Sequence, residues 1–148
     1  MKYTILALSF AFIFSFMSGC KKNNVKEANK SSSIFGAWEL RSTVGGIPLK
    51  TFPPNNGHVI QFTNDGYTVF DSGQTKEKGG YIITTDNSVE ANVCLVIKDG
   101  QFTNRITLNA SSNPYKIFFN LEGNQLTLLS GCFAIDAGSQ TVYERVDK

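Results

Sequence analysis

Histidine is the scarcest titratable residue in this 148-residue chain, and its rarity restricts the possible chemistry. The only one, His58, alternates with Ile60 and Phe62, a pattern typical of a hydrogen-bonded structural residue in a strand. The sequence has no Gly-x-Ser-x-Gly elbow, phosphate-binding loop or glycine-rich dinucleotide motif. The aspartates fall where turns and strand ends are expected, so they form no convincing acid–base pair. We therefore expect neither an enzyme nor a bound cofactor.

Excess charge and metal-ligand patterns are also missing. The formal net charge is only +2, and no basic stripe of the kind needed to neutralise phosphates is visible, so a nucleic-acid partner is not expected. Three cysteines and one distant histidine lack the paired spacing of a zinc site, which argues against a metal centre.

Long apolar runs are absent too, but a short one opens the chain. Lys2 precedes an apolar segment at 5–16, which is shorter than the roughly 20 residues of a membrane-spanning helix. Small residues and then Cys20 follow, as in an export signal covering residues 1–19. Ser18-Gly19-Cys20 resembles the lipobox of bacterial lipoproteins. That resemblance implies cleavage before Cys20, acylation of its thiol and membrane attachment through this lipid.

In the lipoproteins of enteric bacteria, an aspartate after the lipidated cysteine is an inner-membrane retention signal, and here Lys21 stands in that place. The resemblance thus favours the outer membrane, on its periplasmic or cell-surface face. Residues 20–33 are rich in Lys, Asn and Ser and are expected to form a disordered tether.

With Cys20 assigned to lipid, Cys94 and Cys132 remain as an even pair in an exported protein. A disulfide between them is the favoured expectation, since compartments beyond the inner membrane permit such bonds. Two buried free thiols remain the alternative, because free cysteine is commonly buried.

From residue 34 to 148, short apolar alternations separated by glycine and asparagine predict one antiparallel β domain. Turn signals at 64–66, 98–100 and 122–124 predict tight hairpins, and hence a meander of neighbouring strands. A closed barrel and a two-sheet sandwich both satisfy this pattern. The predicted strands are 36–43, 57–63, 66–71, 79–85, 92–98, 102–109, 115–121, 124–130 and 140–146.

The head of the first strand favours the barrel. Gly36-Ala37-Trp38 resembles the Gly-x-Trp signature of lipocalins and of the lipocalin-like lipoproteins of the Bacteroidetes. This resemblance implies an up-and-down β-barrel of eight to nine strands. It also implies that Trp38 closes the narrow end while Arg145, on the last strand, packs across its ring.

The connection from 44 to 56 contains Pro48 and Pro53-Pro54. Since proline cannot donate to a ladder, we expect this stretch to stay out of the sheet. By the same resemblance it is a candidate lid over the barrel mouth, and an ordinary surface loop is the alternative.

The aromatic residues suggest a binding function. An eight-stranded barrel is wide enough either to be filled by side chains or to hold one small ligand. Alternation offers Phe62, Tyr67, Tyr81 and Phe119 as ligand contacts, with Arg105 for an anionic group, although core packing and an outer-face arginine are the alternatives. We expect a monomeric lipoprotein that binds a small hydrophobic or amphipathic ligand. A protein-interaction module with a packed barrel, similar to the lysozyme-inhibiting lipoproteins of the periplasm, is the second hypothesis.

Overall fold

The computed structural model describes residues 33–45 and 47–146 and shows an all-β, nearly closed antiparallel barrel. The predicted signal, Cys20 and the predicted tether up to residue 32 lie outside the described residues. The elements are β1 (Gly36–Gly45), β2 (Ile47–Thr51), β3 (Val59–Thr63), β4 (Gly66–Asp71), β5 (Gln74–Gly79), β6 (Tyr81–Thr85), α1 (Val89–Val93), β7 (Asn104–Leu108), β8 (Ile117–Glu122), β9 (Gln125–Ser130) and β10 (Ser139–Val146).

The first and last strands pair with each other, which brings the two ends of the meander together. The order across the sheet is β5-β4-β3-β1-β10-β9-β8-β7-β6, with β2 added beside β1. Every pairing is antiparallel. Because an even number of antiparallel steps separates β5 from β6, these consecutive strands run in the same direction. Together they act as one bent strand that pairs with β4 through its first half and with β7 through its second.

The bend lies at Gly79-Gly80. Here β4 on one side and the residue after β7 on the other both pack against the backbone of these two glycines. Gly79 pairs with Tyr67 of β4, and the Gly80 carbonyl accepts a hydrogen bond from the Asn109 amide at 3.1 Å. A Cβ on Gly79 would stand 2.8 Å from Asn109 Oδ1 and 2.9 Å from the Ala110 Cβ. Only glycine fits there without displacing a neighbour.

Three parts of the sequence prediction need correction. The stretch 92–98 is not a strand: α1 covers Val89–Val93, and Cys94 then takes a left-handed conformation with φ of 55° that an extended strand does not contain. β5 was missed because Gln74-Thr-Lys-Glu-Lys-Gly has no apolar residue to mark a face. Pro48 does lie in the sheet, in β2, which pairs only with β1 and so leaves an edge where proline is tolerated.

Apolar side chains pack on both faces of the sheet. The interior cluster includes Trp38, Phe62 and Phe119. A second cluster joins Phe118 and Leu129 to Val89, Val93 and Phe102 of the segment between β6 and β7. Since Phe118 and Phe119 are adjacent on β8, their side chains point to opposite faces. The second cluster therefore lies outside the barrel, under the segment that contains α1.

A disulfide joins that outer segment to the barrel. Cys94, directly after α1, is bonded to Cys132, just beyond β9, with their Cα atoms 5.0 Å apart. The pairing expected from the sequence is therefore present, although Cys94 lies beyond a helix and not in a strand. The bond holds the outer cluster closed at the end of α1.

A buried carboxylate fixes the connection between β2 and β3. Glu39 is 4% exposed and accepts hydrogen bonds from Arg41 at 2.7 Å and from the Asn55 amide at 3.0 Å. The amide of Gly57 also donates to it, at 3.4 Å. Burial alone would raise the pKa of Glu39, but the hydrogen bonds from Arg41, Asn55 and Gly57 outweigh it and hold that pKa below its ordinary value.

Replacing this carboxylate, as Glu39→Gln, is expected to lower the free energy of unfolding at neutral pH by about 1–2 kcal/mol, because Arg41 keeps its ion pair with Glu144 at 2.7 Å but the Asn55 and Gly57 amides lose a charged acceptor. A depressed folded-state pKa contributes stability above the unfolded value, 4.5, and that contribution is lost as pH falls through the folded value. Urea denaturation between neutral and acid pH should therefore show the gap between wild type and Glu39→Gln closing as pH falls. A gap that stays constant would contradict this assignment.

Candidate ligand site

One end of the barrel is closed around Trp38. The indole is fully buried, and its nitrogen donates to the Ile34 carbonyl at 2.7 Å. The Arg145 guanidinium lies 4.1 Å from the ring centre, and its two terminal nitrogens donate to the carbonyls of Phe35 and Ser33 at 2.6 Å. The contact implied by the family resemblance is thus observed. It attaches the segment before β1 to the last strand.

This stacking also explains the glycine of the Gly-x-Trp motif. Gly36 has a φ of +128°, and a Cβ there would stand 2.6 Å from Arg145 Nη1. Both the backbone conformation and the guanidinium exclude a larger residue.

The predicted aromatic contacts lie in the packed interior. Phe62, Tyr67 and Phe119 are buried members of the interior cluster, and Tyr81 packs against it. The Tyr67 hydroxyl hydrogen-bonds to Glu77; burial first, and then this carboxylate, raise the pKa of Tyr67 to about 12. Tyr81 donates to the Thr63 carbonyl at 3.1 Å. These side chains fill the barrel around Trp38, as the core-packing alternative expected.

Arg105 does not point into the barrel. It pairs across the strands with Phe118 of the outer cluster, on the face opposite to the interior residue Ile106. Its guanidinium lies 3.6 Å from Asp86. Arg105 therefore belongs to the outer surface, and its assignment as a ligand contact in the barrel was wrong.

A cavity that opens to solvent lies beyond the Trp38 core, toward the other end of the barrel. We call it the mouth cavity; it measures about 320 Å³, at the lower end of the range for small-molecule sites. The side chains of Leu40 and Val69 and the ring of Tyr143 lie on its inner side, and all three face inward by alternation with core residues. The lining residues are Leu40, His58, Val59, Val69, Phe70, Asp71, Lys76 and Tyr143.

Three polar groups meet at the rim of the mouth cavity. His58 Nδ1 lies 3.0 Å from Asp71 Oδ1, and the Lys76 ammonium lies 3.6 Å from the other carboxylate oxygen. Each of these side chains is more than a third exposed, so ligand and solvent can both reach them. The arrangement places one carboxylate between two nitrogen groups above an apolar surface.

Local structure holds the imidazole in place. The His58 carbonyl accepts from the Leu40 amide at 2.9 Å, and its amide donates to the Asn56 side chain at 2.9 Å. The Phe52 ring meets the imidazole edge-on at 5.4 Å between centres. Asp71 precedes a two-residue turn in which Ser72 and Gly73 both have positive φ, as a tight β-hairpin requires.

Tyr143 is the other polar group of the cavity. Burial raises the pKa of its phenol to about 12. The phenol therefore stays neutral at physiological pH and can both donate and accept a hydrogen bond.

Sequence reasoning missed the grouping of His58 with Asp71 and Tyr143. A signal was available for the first pair, because a two-residue hairpin at Asn64-Asp65 extends the β3–β4 register to place His58 opposite Asp71. Tyr143 alternates with Arg145 and so shares its inward face.

The lining of the mouth cavity contributes no Ser, Thr or Cys nucleophile to the His58–Asp71 pair. A His–Asp pair orients an imidazole, but none of the residues lining the mouth cavity is a serine, threonine or cysteine that it would activate.

Comparison with known proteins adds no identification. No family model matches the chain, and searches of the curated proteins and of the solved structures also find no match. Within the part of the chain that the structure describes, no helix is both long and apolar enough to cross a membrane.

Proposed function

We propose that the chain is a lipid-anchored lipoprotein of the bacterial cell envelope whose barrel binds a small apolar or amphipathic ligand in the mouth cavity. The anchor rests on the lipobox resemblance at Cys20. The binding function rests on one observation: in the mouth cavity an apolar surface of inward-facing side chains meets a polar rim.

The chemistry of the cavity describes the ligand. Leu40 and Val69 offer contact to an apolar body, while the Tyr143 hydroxyl and the His58–Asp71–Lys76 group offer hydrogen bonds to a polar end. Since the cavity measures only about 320 Å³, the ligand is a short chain or a single ring system rather than a long lipid.

Filling the cavity tests this assignment. We expect Val69→Phe to weaken binding of a fluorescent medium-chain fatty-acid probe by roughly tenfold, because the added ring occupies the ligand space. Thr68→Phe is the matched control: it adds the same ring to the opposite face of β4 and should change the affinity by less than about twofold.

The measurement is a fluorescence titration of both variants and the wild type, each first shown by thermal unfolding to be folded. Tyr143→Phe is a second variant that removes only a hydroxyl and should also weaken binding. Equal affinity in Val69→Phe and Thr68→Phe would contradict the location of the site, and no uptake by the folded wild type would contradict the function.

A further inference from the structure

The sheet leaves three whole strands with a free edge among the described residues: β2, β5 and β6. Natural proteins blunt such edges with proline or charge to prevent unwanted pairing. β2 carries Pro48 and Lys50, and β5 carries charged residues at 76–78. β6 reads Tyr-Ile-Ile-Thr-Thr, a run of strong strand formers with neither device. Its edge is open where the other two are protected.

The hydrogen bonds that flank β6 show which of its backbone groups are free. The Gly80 carbonyl accepts from Asn109, and the Asp86 amide donates to the Thr103 carbonyl at 2.9 Å, so both of these residues point toward β7. Backbone groups alternate between the two edges of a strand. The groups of Ile82 and Thr84 therefore also point toward β7, and those of Tyr81, Ile83 and Thr85 point to the free edge.

The exposure of the Ile83 side chain also shows that no strand of the described residues covers this edge of β6. Ile83 pairs with Ile106, which is a buried residue of the interior, yet Ile83 itself is 40% exposed because no strand covers its other side. Next to it lies a cavity of about 440 Å³ whose lining includes Ile34, Phe35, Phe119 and Leu121. None of the residues lining this cavity is charged.

We propose that the free edge of β6 is a strand-addition site for an extended, uncharged segment of a partner protein. The segment would hydrogen-bond to the backbone of Ile83 and Thr85 and place one apolar side chain in the cavity beside Ile83. In this mode of recognition, main-chain hydrogen bonds supply affinity and pockets for alternate side chains supply specificity.

The uncharged cavity favours this occupant over two others. The chain preceding Ser33 has four lysines between residues 21 and 30, and burying a charge beside Ile83 and Phe119 would be costly. A second copy would contribute only its five-residue β6, whereas a segment of a partner can continue past β6 over the cavity and place a side chain in it. This site is separate from the mouth cavity, so an experiment can contradict the strand-addition proposal without contradicting the ligand-binding proposal.

The test uses the chain from residue 20 onward with Cys20→Ser, and a set of blocked, uncharged peptides of alternating Thr and Val. The central residue is varied over Ala, Val, Leu and Phe. Amide hydrogen exchange by NMR reads the edge directly: before peptide is added, Ile83 and Thr85 should exchange rapidly while Ile82 and Thr84 are protected. Peptide should then protect Ile83 and Thr85 and shift the resonances of Phe119.

Substitutions in β6 test whether peptide affinity depends on the free edge or on the strand as a whole. Ile83→Pro removes an N–H on the free edge without breaking the β6–β7 ladder, and should reduce peptide affinity by at least about tenfold. Ile83→Lys serves the same purpose if the proline variant does not fold. Ile82→Lys, whose side chain points to the other face, should change the affinity by less than about twofold.

Three results would overturn the proposal. The first is that no peptide of the set protects Ile83. The second is concentration-dependent dimerisation that protects Ile83 without peptide, which would assign the edge to a second copy. The third is protection of Ile83 in the free monomer that disappears when residues 21–32 are deleted, which would assign it to the chain's own N-terminal segment.

Discussion

Replacement of Trp38 by alanine is expected to lower the free energy of unfolding by about 4 kcal/mol, one of the two largest effects expected for this chain. The indole is fully buried in the interior cluster, so its removal leaves a cavity as well as losing apolar contact. The variant also loses the hydrogen bond to the Ile34 carbonyl and the surface on which Arg145 stacks. A guanidinium over an indole contributes roughly 0.5–2 kcal/mol.

Urea denaturation followed by circular dichroism measures this effect. The matched control is Phe35→Ala, an aromatic truncation three residues away at a side chain that is nearly half exposed, and it should cost far less. Trp38→Phe provides a milder change if the alanine variant does not fold. Equal destabilisation by Trp38→Ala and Phe35→Ala would mean that Trp38 does not close the barrel.

Loss of the disulfide is the second large effect. Cys94 and Cys132 are 38 residues apart, and closing a loop of that length stabilises a folded chain by about 4 kcal/mol in the chain-entropy account. We expect the double variant Cys94→Ser, Cys132→Ser to lose stability on this scale. The wild type treated with reductant is the matched control and should behave like the double variant.

The loss should also be localised. The bond joins the end of α1 to the chain after β9, so hydrogen exchange should accelerate first between Asp86 and Phe102, where the outer cluster loses its attachment. The amides around Trp38 should stay protected until global unfolding. Unchanged exchange in the outer segment after reduction would contradict this role for the bond.

Much of the fold was predictable because local pattern and tertiary packing agree. Alternation marked most of the strands, turn residues marked the β3–β4 and β8–β9 hairpins, and Trp38 with Arg145 marked the contact between β1 and β10. The elements that were missed lack a local signal of this kind. β5 lies at a free edge and has no apolar residue, whereas β2 contains a proline that only an edge tolerates.

The segment around α1 was wrongly predicted to be a strand at 92–98 for a different reason. Val93, Leu95 and Ile97 alternate as in a strand, but Val93 is fully buried in the outer cluster while Leu95, two residues on, is 40% exposed. Packing on the outer face of β8 and β9, together with the Cys94–Cys132 bond, decides this conformation, and neither is local in sequence.

The candidate site was only partly predictable. Alternation along the strands predicted that Phe62, Tyr67 and Phe119 face the interior, and they do. Alternation does not tell which interior residues border open space. Arg105 failed because Phe118, its neighbour across the strands, packs on an outer cluster that the sequence did not reveal. The His58–Asp71 pair depended on extending a hairpin register, which the alternation of single strands does not supply.

Native mass spectrometry of the gently purified chain from residue 20 onward, with its disulfide intact, tests the central claim most directly. The account predicts a small apolar or amphipathic molecule that remains bound to a monomer and is lost in Val69→Phe but retained in Thr68→Phe. A folded protein that carries no such molecule and takes up no medium-chain fatty acid when it is added would contradict the account. The barrel would then act through its surface rather than through a cavity.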